Sequence, residues 1–75
     1  MKNTYIKVNG IMDVTELVRM ASLIDGDVNC KKGKYCVDAK SIMGMFSLDL
    51  STGAVIEYPD YATDFEYYLS KFKAD

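Results

Sequence analysis

Polar and apolar residues alternate where the chain begins. Thr4, Ile6 and Val8 fall on one face of an extended segment, with Tyr5 and Lys7 on the other, which predicts a strand over Thr4–Val8. The period then lengthens. Val14, Leu17, Val18, Ala21 and Ile24 recur at helical spacing and mark one buried face. Asp13 is the expected N-cap of this helix, with Glu16 three residues later to complete a capping box. Met12 and Leu17 occupy the two positions of a hydrophobic staple, and Gly26 is placed to stop the helix in the left-handed conformation.

Period-two patterning returns over Val28–Lys31 and Lys34–Ala39, two strands around a turn at Gly33. Val28, Cys30, Val37 and Ala39 share the core face, and Cys36 points to the other side. Ser41–Leu48 is short and apolar. Its length admits a strand, but Gly44 argues against one, and Ser41 is an N-cap for a helix of about two turns. After the turn Ser51-Thr52-Gly53 comes a strand over Ala54–Tyr58, ended by Pro59, which cannot continue a ladder. Asp60 is the expected cap of a last helix with an apolar stripe of Tyr61, Phe65, Tyr68, Leu69 and Phe72. Tyr58, Tyr61, Tyr67 and Tyr68 read as half-buried packing under that helix. Asp64 and Glu66 lie early and Lys71 and Lys73 late, as the helix dipole prefers. The order is βαββαβα. It predicts an α+β open-faced sandwich, a four-stranded antiparallel sheet with helices on one face. A ferredoxin-like fold is the alternative, and it wants a longer second helix than Ser41–Leu48 supplies.

Composition narrows the function. With 75 residues the chain is read as a single domain over 1–75, and a core of that size yields about 3–5 kcal/mol of stability. A net charge of −2 offers no basic face for nucleic acid. The one basic cluster, Lys31, Lys32 and Lys34, flanks Gly33 and reads as a solvated turn. No apolar run reaches the ~18 residues of a membrane span, and the N-terminus has no signal-peptide core, so the reading is cytoplasmic. The chain contains no histidine, which removes the commonest general base and excludes serine–histidine and cysteine–histidine catalysis. Cys30 and Cys36 alone do not complete a zinc site, and their facing disfavours a disulfide. Cys36 has no sequence neighbour that would activate a thiol. No cofactor is expected, and the chain is not read as an enzyme.

Two strings carry a family resemblance. Asp25-x-Asp27-Val28-Asn29 and, beyond the hairpin, Lys40-Ser41-Ile42-Met43-Gly44-Met45-x-Ser47-Leu48 resemble the centre of the HPr phosphocarriers of the bacterial sugar phosphotransferase system. The resemblance implies a sheet with strand order 1-4-2-3. It also implies an active site at the start of the first helix, where a Gly-x-His-x-Arg-Pro-Ala motif presents a phosphoryl-accepting histidine. Counting back from Ala21-Ser22-x-x-Asp25, that histidine falls on Gly10, the arginine on Met12 and the proline on Asp13. None of the three features carries over. Two others do. Ser41 matches the serine that a dedicated kinase phosphorylates in HPr from Gram-positive bacteria. Ile42, Met43 and Phe46 match the apolar positions with which the family docks onto enzymes and regulators, and Met and aromatic side chains suit such surfaces.

The expectation is therefore an HPr-like regulatory or protein-interaction module acting through the Ser41 helix, with Lys40 as a counter-charge for a phosphoserine. Its implied partners are other proteins: an HPr kinase, a transcriptional regulator or phosphotransferase-system enzymes. Two alternatives stay open, a phosphotransfer component with another acceptor and a structural relic of the fold with an unrelated partner. The bland readings are that Ser41 is only a cap and that the apolar residues after it are core. Yet Ile42, Met43, Met45, Phe46 and Leu48 surround so short a helix, and some must be exposed.

Overall fold

A computed structural model describes residues 1–74; Asp75, the last residue of the expected domain, lies outside the described residues. The elements run β1 (Lys2–Ile6), α1 (Ile11–Ser22), β2 (Asn29–Lys32), β3 (Tyr35–Asp38), α2 (Ile42–Phe46), β4 (Ala54–Tyr58) and α3 (Thr63–Leu69), with single 3₁₀ turns at Leu50–Thr52 and Ser70–Phe72. The four strands form one antiparallel sheet in the order β1-β4-β2-β3. Sheet, helices and strand order match the α+β expectation.

Register explains which residues meet the helices. Thr4 pairs with Ile56, Ile56 with Cys30 and Cys30 with Val37, so these four lie in one row across the core face. Ile56 and Cys30 are fully buried there, under Leu17 and Ala21 of α1, Met45 of α2 and Phe65 and Leu69 of α3. Burial pushes the Cys30 thiol up to about 11. Cys36 is exposed on the opposite face, and both thiols are free. The outer face carries the ion pair of Lys31 and Glu57, at 3.2 Å.

The strands shift by small steps from the sequence expectation. β1 ends at Ile6 rather than Val8, because the next amides bond outside the sheet ladder: Lys7 to the Phe72 carbonyl and Val8 to the Leu50 carbonyl, each at 3.0 Å. The Val28 carbonyl accepts from Ala39 N at 2.9 Å, so the hairpin pairing extends beyond the named strands.

Three terminus assignments are corrected. Asp13 does not cap α1. The helix begins at Ile11, with Gly10 at the N-cap and no side-chain cap bond. Gly10, at φ 90° and ψ 148°, turns the chain early, and its carbonyl accepts from Val14 N at 3.3 Å. Glu16 cannot close a capping box, because Tyr68 and Lys71 of the C-terminal segment hold its carboxylate at 2.9 and 3.3 Å. Met12 is 86% exposed and forms no staple with the buried Leu17.

At the other end α1 stops at Ser22, before Gly26. Gly26 does take a positive φ, 129°, but its place is in the loop beyond the helix. That φ is one that L side chains rarely adopt, and a Cβ there would also press on the Tyr61 hydroxyl, 2.6 Å away.

Asp60 does not cap α3. A turn closed by Ala62 N and the Pro59 carbonyl separates it from the helix, and its carboxylate lies 3.5 Å from the N-terminal ammonium. Of the expected stripe, Phe65 and Leu69 are buried and Tyr68 and Phe72 are half-buried, while Tyr61 is exposed. Tyr58 is buried and Tyr67 exposed, so only two of the four tyrosines, Tyr58 and Tyr68, pack as expected.

Candidate protein-docking site

Two helix starts decide what this surface can do. At α2 the sequence signal is local and complete. Ser41 is extended (φ −98°, ψ 114°), and its hydroxyl oxygen accepts from Gly44 N at 3.2 Å. That bond satisfies one of the amides a helix leaves orphaned at its start. The five residues that follow can bury only one side. Met45 is that side, fully buried. Ile42, Met43 and Phe46 are left outside, at 38%, 80% and 44% exposure.

At α1 the start is apolar and open. Gly10 offers no side chain, and Ile11 and Met12 stand 72% and 86% exposed. Asp13 is exposed in the first turn. A groove of about 280 Å³ joins the two helices, with Gly10 and Ile11 on one wall and Phe46, Leu48 and Asp49 on the other. Hydrogen bonds from the Ser51 hydroxyl, at 2.5 Å, and the Ser51 amide hold the Asp49 carboxyl below its ordinary value.

The structure thus brings Phe46 of the Ser41 helix next to the start of α1. The Lys40 ammonium donates to the Ile24 carbonyl at 2.7 Å. Sequence reading missed Ile11 and Met12 as surface residues. The signal was available for Met12: Thr15, Glu16 and Arg19 share its helix face at spacings of three, four and seven, and that is the polar face.

Among the described residues, no charged side chain is buried, and no group of three or more His, Cys, Asp or Glu is placed to hold a metal ion. No helix among them is long and apolar enough to cross a membrane.

The family model for the PTS HPr component phosphorylation site matches residues 13–58, well over half of the chain. The chain belongs to the HPr family. Its fold is similar to that of HPr-C-His from Thermoanaerobacter tengcongensis, with a TM-score of 0.73 and 26% identity over 95% of this chain and 89% of that one. It is similar also to the phosphocarrier protein HPr from Bacillus anthracis str. Ames, with a TM-score of 0.71 and 25% identity over 96% and 94% of the two chains. A comparison with curated proteins finds no match. The HPr match takes in Asp13 and the whole Ser41 helix, and it begins after Gly10 and Met12.

Proposed function

We propose that this HPr-family chain is not a histidine phosphocarrier but a regulatory or protein-interaction module acting through the Ser41 helix. The observation that carries the reading is the contrast at the two helix starts. By residue count the family's acceptor falls on Gly10, in a chain with no histidine, and Gly10 adopts a backbone conformation (φ 90°, ψ 148°) that glycine alone takes readily. Ser41, Ile42, Met43 and Phe46 meanwhile keep a capped helix with an exposed apolar side.

Phosphorylation of Ser41 would add a charge of about −1.5 to −2 beside Ile42 and Met43. A basic partner surface is then favoured and an acidic one repelled, with no change of fold. The partners that suit this role are an HPr kinase, a transcriptional regulator or phosphotransferase-system enzymes, met in the cytoplasm.

The test has two arms. The purified chain is incubated with phosphoenolpyruvate and the enzyme that charges HPr, and separately with ATP and an HPr serine kinase. Intact mass and peptide mapping follow, with Ser41→Ala as control. The expected result is no phosphoryl gain in the first arm and one at Ser41 in the second. A gain in the first arm would show that another nucleophile had been recruited. Its absence at Ser41 in the second would reduce the serine to a cap.

A further inference from the structure

At the far end of α1 from Gly10, the chain leaves a second concave surface. An open groove of about 360 Å³ runs between the end of α1 and the start of α3. Met20, Leu23 and Ile24 form one wall, Tyr61 the other, and the buried Phe65 lies at the base. Leu23 and Tyr61, on facing walls, are 76% and 67% exposed, an apolar surface left open to solvent. Met20 and Asp64 also line a further depression that continues toward Tyr67 and Lys71.

The walls are held in place. The Tyr61 hydroxyl donates to the Asp25 carbonyl, and Lys40 donates to the Ile24 carbonyl at 2.7 Å. The rim is acidic and unengaged: among the described residues, the carboxylates of Asp25 and Asp64 make neither an ion pair nor a hydrogen bond. Glu16, Glu57 and Glu66, by contrast, are all paired with lysines. No basic residue lines this groove.

We propose that this groove docks a basic amphipathic segment of a partner protein. An apolar side chain of the partner sits over Phe65 between Leu23 and Tyr61, and a lysine or arginine beside it meets Asp25 and Asp64. Three observations select that occupant. A small-molecule site encloses most of its ligand, whereas this groove is open and runs on along α3, as a docked segment requires. The rim carboxylates favour a cationic partner and repel an acidic one. A second copy seated groove to groove would set Asp25 and Asp64 against the same carboxylates of its partner.

The groove shares no lining residue with the depression at Gly10. Their nearest lining residues on α1, Val14 and Met20, are six positions apart, about 9 Å along the helix at 1.5 Å per residue. Both can be occupied at once, which would make the chain a bridge between two partners.

Amide chemical shifts of the full chain test this with two synthetic peptides. Both carry leucines at helical spacing; one has lysine and arginine at its polar positions, the other glutamate and aspartate. The basic peptide is expected to move the amides of Leu23, Asp25, Ala62 and Thr63 and to bind about tenfold more tightly than the acidic one, with the difference lost at high salt. Asp25→Asn with Asp64→Asn should erase that preference while leaving the free chain's spectrum folded. Equal affinity, no binding of either peptide, or shifts centred on Met43 and Phe46 would overturn the proposal. So would concentration-dependent shifts at Leu23 and Tyr61 without peptide, which would assign the groove to a second copy.

Discussion

The helices α1 and α2 pack against each other and begin in opposite ways. α1 starts from a glycine with no side-chain cap, and its first two residues are large, apolar and exposed. α2 starts from a serine that caps it. The difference follows from what each helix buries. α1 has twelve residues and four fully or nearly buried side chains, Val14, Leu17, Val18 and Ala21. Packing of that stripe stabilises it, so a polar group at its start is dispensable to the fold. α2 has five residues and one buried side chain, so its cap and Met45 carry most of its order. A helix with packing to spare keeps its shape without a side-chain cap; a short one cannot lose its cap so cheaply.

The largest break in this comparison is within α2 itself. Met45→Ala should cost about 2–5 kcal/mol, which is most of the stability a domain this small holds. Met43→Ala should stay within about 0.5 kcal/mol, as surface changes do. Urea denaturation of both variants measures the pair. A comparable loss for Met43→Ala would make the outer side of α2 packing rather than a docking surface.

The next effect lies at the start of α1. A Cβ on Gly10 meets nothing within 4 Å, so the cost of Gly10→Ala comes from its φ of 90° alone. It should be about 1–3 kcal/mol by the same denaturation. Gly10→His with Met12→Arg should suffer the same strain and remain uncharged by the phosphoenolpyruvate-dependent enzyme. A stable and chargeable double variant would show that this helix start relaxes easily and was emptied by substitution alone.

Ser41→Ala is the counterpart at α2. Loss of the bond to Gly44 N should cost about 1 kcal/mol, and Ser41→Thr should recover most of it. If Ser41→Ala is neutral in denaturation, the capping half of the comparison fails, and the serine's presence would have to rest on modification alone.

How far the sequence spoke depends on the range of the interaction concerned. The strand at Ala54–Tyr58 was legible to the residue, because its alternation is regular and Pro59 stops it. Ser41 was legible because capping is local, and so were the facings of Cys30 and Cys36, which follow from period two. Glu16 and Asp60 were misread where long-range partners intervened, and Asp13 because the helix starts two residues earlier, at Ile11. Glu16 matches a capping box in sequence but is bound by residues 52 and 55 positions away. Asp60 is held at the N-terminal ammonium. At the candidate site, Met43 and Phe46 followed from crowding on a short helix. The groove that joins Phe46 to Ile11 did not, since it exists only once α1 and α2 are packed.

The smallest effect tests that misreading directly. The hydrogen bond from the Tyr68 hydroxyl, then Lys71, holds the Glu16 carboxyl below its ordinary 4.5. Lys2 and then Tyr58 do the same for Glu66. A carboxyl whose pKa is lowered by folding contributes stability that is complete above its unfolded value and is lost as pH falls through the folded value. Stability should therefore decline as pH drops below about 4.5, modestly, because both carboxylates are solvent-exposed and screened. Glu16→Gln distinguishes the two readings of this residue, the capping box expected from sequence and the long-range pair found in the structure. Glutamine can still close a capping box, but it cannot respond to pH. The acid limb should flatten in Glu16→Gln, and Tyr68→Phe should flatten the same limb. The double variant should add little, since both changes remove one interaction. Independent effects of the two substitutions would detach Glu16 from Tyr68 and return it to the start of α1, restoring the capped helix that the sequence alone suggests.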